Sequence, residues 1–153
     1  GACLDPNPAY LILRGMKTLA LRMNKHNENA LDLANWLSEH DKIENVFYPG
    51  LNNHKDAEIA KKQMTGFGGV LSFSVKDEKM IPIFISNLSF AHAAAHLGSL
   101  DTIVGPPKTT SHVENTSKER AELGIPNNLI RCSVGIEHID DIKNDFNQAL
   151  LKL

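Results

Sequence analysis

Leu129-Ile130-Arg131-Cys132-Ser133-Val134-Gly135-Ile136 is the stretch on which the fold turns. As an extended strand it puts Ile130, Cys132, Val134 and Ile136 on one face and Leu129, Arg131, Ser133 and Gly135 on the other. The first face belongs to a core. The second holds an arginine in mid-strand between apolar neighbours, which is expensive unless the guanidinium is paired. Two partners are compatible with the residues: an internal Asp or Glu, or the carboxylate or phosphate of a ligand, which the planar fork of arginine captures in bidentate fashion. The residues alone leave both open.

Working outward, residues 139–153 carry the apolar spacing of a helix. Residues 117–123 fit a short helix capped by Ser117 and stopped at Gly124. Pro106-Pro107 breaks any element. Val70, Leu71, Phe73 and Val75 alternate in part with Ser72 and Ser74, a half-buried strand. Ile43-Glu44-Asn45-Val46-Phe47-Tyr48 reads as another, closed by the turn dipeptide Pro49-Gly50. Residues 56–64 and 78–87 read as short helices, and residues 88–103 fit neither pattern. Strands and helices that do not strictly alternate point to an α+β fold, a small sheet covered by helices.

The chain starts differently. Asn7-Pro8 predicts a helix start, and Tyr10, Leu11, Ile12, Leu13, Met16, Leu19, Leu21 and Met23 leave residues 9–23 apolar nearly all round. After a polar run at residues 24–29, Ala30, Leu33, Ala34 and Leu37 recur at helical spacing. Residues 8–40 therefore form one long helix or two joined by a bend at residues 24–29. A helix apolar on every side must be covered on every side, and a straight one of ~30 residues would run about 45 Å. Its first half is expected to pack against something outside this chain. The chain opens with Gly1, which reads as a processed protein or a piece of a longer one.

Composition narrows the function classes. The 153 residues are 42% hydrophobic and 22% charged, with a net charge of -2, as in an ordinary globular domain. A near-neutral chain is a poor nucleic-acid binder, since phosphate binding needs clustered Lys and Arg. No apolar run approaches the roughly 18 residues of a membrane span, and no signal-peptide pattern opens the chain. Two cysteines, Cys3 and Cys132, suggest a reducing, cytoplasmic setting.

Several segments could carry chemistry. Gly66-Phe67-Gly68-Gly69 follows a helix and precedes a strand, the reverse of a phosphate loop, and reads as a helix stop and tight turn. His92 and His96, four apart, would share a helix face and could hold a metal, but no third ligand follows in register; no metal site is assigned. Ser111-His112 is adjacent, the wrong geometry for a dyad on a strand. Cys132 reads as a buried core thiol.

Taken together, Leu13-Arg14-Gly15-Met16-Lys17-Thr18-Leu19, Tyr48-Pro49-Gly50-Leu51, Thr65-Gly66-Phe67-Gly68-Gly69 with Leu71-Ser72-Phe73, and Leu129-Ile130-Arg131 with Ser133-Val134-Gly135-Ile136-Glu137 resemble the C-terminal part of the Cys/Met-metabolism family of pyridoxal-phosphate enzymes. That family includes cystathionine γ-synthase, cystathionine γ-lyase, methionine γ-lyase and the O-acetylhomoserine sulfhydrylases. The resemblance runs from Gly1 to the last helix. It implies a connecting helix or helices over residues 1–40 and a domain over residues 41–153, a small, mostly antiparallel sheet covered by helices on one side. This is the C-terminal domain of a fold-type I transferase, packed in the complete enzyme against a larger cofactor domain that this chain lacks. The Schiff-base lysine and the pyridoxal 5'-phosphate cradle would lie in that missing domain, so the piece alone would be catalytically silent.

The resemblance also assigns residues. Arg131 occupies the position that binds the substrate α-carboxylate, which favours the ligand over the internal ion pair. His96 stands where the family usually has serine, Ala95 at a specificity position where cystathionine γ-lyases carry glutamate, and Ser111 where many members have threonine near the carboxylate. The implied substrate is a sulfur-containing or homoserine-derived amino acid, processed by γ-elimination or γ-replacement in a homotetramer, with Arg131 orienting it. The alternative is a stand-alone, non-catalytic assembly or binding module; the coding sequence upstream of Gly1 separates the two.

Overall fold

The computed structural model describes residues 3–153. Among them the order is α1 (Pro6–Met16), α2 (Leu19–Ser38), β1 (Ile43–Phe47), α3 (Ala57–Gln63), β2 (Val70–Val75), α4 (Met80–Ser86), β3 (His92–Ala93), β4 (Ile103–Gly105), a 3-10 turn (Pro107–Thr109), α5 (Ser117–Glu122), β5 (Leu129–Ser133) and α6 (Ile139–Leu150). The strands form one sheet in the order β1-β2-β5-β4-β3. Three of the four pairings are antiparallel; only β3 runs parallel to β4. The α+β expectation therefore holds, with one parallel edge. The ambiguous residues 88–103 contain the short edge strand β3.

The central strand behaves as its alternation predicts. Ile130, Cys132 and Val134 are fully buried, packed with Leu71, Phe73 and Val104 of the flanking strands and with residues of α2, α4 and α6. Phe73, Phe84 and Phe146 meet at ring-centroid distances of 5.4–6.2 Å, joining the sheet to α4 and α6. Val134 stays in the core although β5 ends at Ser133, whereas Ile136, two residues further on, is only partly buried and falls outside it. In register, Arg131 stands between Ser72 of β2 and Gly105 of β4, so its row on the opposite face is lined by small residues.

The N-terminal helices correct two expectations. Asp5, whose carboxylate accepts from the Asn7 amide at 2.9 Å, caps α1 ahead of Pro6, two residues before the expected start. Asp caps as well as Asn, and Pro6 takes the first helical position. The bend lies at Lys17-Thr18, not at residues 24–29. There Arg22 reaches back to donate to the Gly15 carbonyl at 2.9 Å and to Thr18 Oγ1 at 3.3 Å, satisfying groups at the end of α1. Thr116, not Ser117, caps α5: its hydroxyl accepts from the Glu119 amide while Glu119 accepts from the Thr116 amide, a capping box.

The polar run at residues 24–29 continues α2 because its side chains dock on the sheet. His26 Nδ1 donates to the Val134 carbonyl (2.7 Å), Asn27 Oδ1 accepts from the Gly68 amide (2.5 Å), and Asn29 Nδ2 donates to the carbonyls of Gly135 (3.0 Å) and Glu137 (2.8 Å). Gly66 and Gly69 permit this approach. A Cβ at Gly66 would stand 2.7 Å from Asn27 Nδ2, and one at Gly69 3.0 Å from His26 Cβ.

No residue of α1 is buried. Tyr10, Leu11, Ile12, Leu13 and Met16 are all more than half exposed, and Leu21 on α2 is 71% exposed. The apolar N-terminal surface thus finds no cover among the described residues, as the burial argument anticipates.

Candidate functional site

Arg131 is half-buried, and among the described residues no carboxylate lies within ion-pair distance of it. Its Nη2 donates to the main-chain carbonyl of His96 at 2.9 Å. A carbonyl satisfies one of the five N–H groups of a guanidinium and neutralises none of its charge. Among the described residues, therefore, no internal acid pairs with Arg131. In the sheet, Arg131 is flanked in register by Ser72 and Gly105. Gly105 is itself packed: a Cβ there would lie 2.8 Å from the Ala94 carbonyl and 3.0 Å from Thr110 Cγ2.

The polar residues after Arg131 all serve one loop, residues 94–102. Ser133 Oγ accepts from the Gly98 amide at 3.0 Å. The Ile136 amide donates to the Leu100 carbonyl at 2.8 Å. Glu137 accepts from the Thr102 amide at 2.5 Å and from its hydroxyl at 2.9 Å, and Thr102 Oγ1 accepts from the Gly135 amide at 3.0 Å. Residues 133–137 are also the segment that His26 and Asn29 hold from α2. Alternation along β5 indicates which residues leave the core; it contains no signal for this lacing, which joins residues about 35 apart in sequence.

His96 and Ala95 lie exposed in that loop, and His96 meets Arg131 through its carbonyl and not its imidazole. Ser111 sits in the turn after the 3-10 segment, exposed, with no hydrogen bond to Arg131 among the described residues. Its Oγ instead lies 2.9 Å from His112 Nδ1. Adjacent residues meet here because residues 111–114 form a turn and not a strand. The pairing dismissed from sequence therefore exists as a contact, and among the described residues no carboxylate ion-pairs with His112 to orient it as a base.

The His92–His96 pair has no helix face to share: His92 lies on β3, which ends at Ala93, and His96 lies in the exposed loop that follows. Among the described residues, no group of three His, Cys, Asp or Glu side chains could hold a metal ion. Cys132 is buried, and burial, reinforced by the Glu137 carboxylate and opposed by Arg131, pushes its thiol far above the usual range. It is not a nucleophile.

The glycine loop at residues 66–69 does not fit a phosphate cradle. In the glycine loop, the Gly68 amide goes to Asn27, the Tyr48 hydroxyl donates to the Gly68 carbonyl at 2.8 Å, and the Gly69 carbonyl accepts from the Val134 amide at 2.7 Å. Packing closes the loop that could have cradled a phosphate. Lys17 lies exposed at the α1–α2 bend. What this chain supplies is a cationic fork on a sheet face, held beside a laced loop.

Comparison with known proteins places this arrangement. A family profile described as "Cys/Met metabolism PLP-dependent enzyme" matches residues 1–151. Cystathionine beta-lyase of Lactococcus lactis subsp. cremoris (strain MG1363) is 43% identical over 152 residues, 99% of this chain and 40% of that protein. Cystathionine gamma-synthase 1, chloroplastic, of Nicotiana tabacum is 46% identical over 151 residues, 98% of this chain and 28% of that protein. L-methionine gamma-lyase of Fusobacterium nucleatum subsp. polymorphum is 42% identical over 154 residues, 100% of this chain and 39% of that protein. The chain thus spans no more than 40% of the length of these three relatives.

Proposed function

Because this chain belongs to the Cys/Met metabolism family of PLP-dependent enzymes, we propose that it is the C-terminal, substrate-binding part of a larger enzyme acting on a sulfur-containing or homoserine-derived amino acid. Arg131 is its carboxylate anchor. One observation carries this reading: a guanidinium in the middle of the sheet whose only hydrogen-bond partner among the described residues is a neutral carbonyl. A half-buried cation without a counter-ion is costly, and an incoming α-carboxylate supplies the charge and the planar pair of acceptors that a guanidinium matches.

The cofactor of this family would be held by the part of the enzyme outside residues 1–153, and the bond-making chemistry belongs there. This chain contributes orientation. Two hydrogen bonds from one fork fix both the position and the plane of the carboxylate, so the reacting carbon is presented in one pose, the entropic part of catalysis. His96 and Ala95 border the amino acid from the laced loop, and Ser111 approaches from the turn after the 3-10 segment. The apolar surface of α1 and the start of α2 takes up the cofactor domain, and the piece alone is inactive. The family resemblance suggests a cytoplasmic homotetramer. The named relatives are two lyases and a synthase, so the reaction is an elimination or replacement on the side chain, at the β or the γ carbon.

The test is Arg131→Lys in the complete enzyme. Lysine keeps the charge and loses the fork. Losing a charged hydrogen-bond pair costs about 1.5–3 kcal/mol, so KM for the amino acid should rise roughly ten- to a hundredfold. An unchanged KM would reduce Arg131 to a structural residue.

A further inference from the structure

We infer that Thr102 and Glu137 are positioning residues for carboxylate recognition, a role that rests on Arg131 being the anchor. Arg131 takes its orientation from the His96 carbonyl, yet His96 lies in an exposed loop with little regular structure of its own. Something else must fix that carbonyl. β3 stops at Ala93, and the loop regains a strand only at Ile103. Between them, the Gly98 amide is tied to Ser133, the Leu100 carbonyl to Ile136 and Thr102 to Glu137. All three anchors belong to residues 133–137, the direct continuation of the strand that bears Arg131. The guanidinium and the carbonyl that aims it are therefore referenced to one piece of backbone.

Thr102 is the node of this lacing. It is fully buried, its amide and hydroxyl both donate to the Glu137 carboxylate, and its hydroxyl oxygen accepts from the Gly135 amide. Its own carbonyl accepts from the His92 amide, which fixes the other end of the loop. Glu137 has no cationic partner within ion-pair distance among the described residues, so its charge is answered chiefly by Thr102. Valine at position 102 keeps the volume but strands one Glu137 oxygen and the Gly135 amide. The loop must then shift to rehydrate them, and the His96 carbonyl moves with it.

The experiment compares Thr102→Val, Thr102→Ser and Arg131→Lys in the complete holoenzyme, with kcat referred to bound cofactor so that unfolded protein does not count. Thr102→Val should raise KM for the amino acid by on the order of tenfold, below the about hundredfold that a 1 Å misplacement can cost. Its kcat should change less, and Thr102→Ser, which keeps the hydroxyl, should restore KM. If Thr102→Val fails to fold, Glu137→Gln replaces it and should raise KM in the same direction by a smaller factor. A normal KM in the folded Thr102→Val enzyme (or in its Glu137→Gln replacement), or a KM that serine does not restore, overturns the positioning role. A normal KM in Arg131→Lys overturns the anchor itself, so the two failures are distinguishable.

Discussion

Replacing Gly135 with alanine should be among the most damaging single-methyl changes available to this chain. The backbone there does not have a positive φ, so alanine is excluded by space alone. An added Cβ would stand 2.2 Å from Glu137 Oε2, 2.3 Å from the Leu100 carbonyl oxygen and 2.7 Å from the carbonyl carbon of Asp101. A relaxed carbon–oxygen contact is about 3.3 Å or more, so the loop must retreat by about 1 Å. That retreat stretches the Ile136–Leu100 hydrogen bond and the Thr102–Glu137 pair together. Overpacking costs about 1–3 kcal/mol. A neutral hydrogen bond adds about 0.5–1.5 kcal/mol and a charged one about 1.5–3 kcal/mol. The expected loss is at least about 3 kcal/mol, a large part of a typical domain's stability. Urea unfolding followed by Trp36, the chain's single tryptophan, measures it. With a slope of about 2 kcal/mol/M, the midpoint should fall by about 1.5 M. A loss below about 1 kcal/mol would show that the loop yields freely, and would refute the claim that residues 133–137 rigidly hold it.

Two further expectations follow from burial. A thiol reagent at neutral pH should modify Cys3, which is exposed, and spare Cys132 until the chain unfolds; two thiols reacting at equal rates in the native chain would contradict the core assignment. Tyr48, whose phenol is buried and donates to the Gly68 carbonyl, is pushed up to about 12 by burial. An unfolded tyrosine ionises near about 10, so between these values the folded state holds a proton that the unfolded state has released. Stability should therefore fall as pH rises through this window. Tyr48→Phe should weaken that fall in a denaturation series from about pH 9 to 12, and an identical slope in both proteins would remove Tyr48 as its cause.

How much was legible in advance depended on the range of the interaction. Alternation along β5 assigned Ile130, Cys132 and Val134 to the core and Arg131 to the other face, because strand periodicity is a local property. The uncovered surface of α1 was legible for the same reason: a run such as Tyr10-Leu11-Ile12-Leu13 has no polar face to offer water. Helix ends were less secure. Asp5 and Asn7, or Thr116 and Ser117, are near-equivalent caps by residue type, so side-chain chemistry alone does not choose between them. The polar run at residues 24–29 misled outright, since unpartnered polar residues in a helix argue for a break. The partners of His26 and Asn29 are carbonyls more than a hundred residues away.

By itself the sequence determined most of the core, that an arginine stands in mid-strand, and, through scattered segments in a fixed order, the family. These follow from side-chain chemistry and spacing along one chain. Tertiary structure alone decided that Arg131 meets a carbonyl and not an acid, that the glycine loop is closed by α2, and that Ser133, Thr102 and Glu137 hold one loop. The reason is physical: hydrogen bonds form between groups that folding brings within 3 Å, and separation along the chain carries no record of that distance.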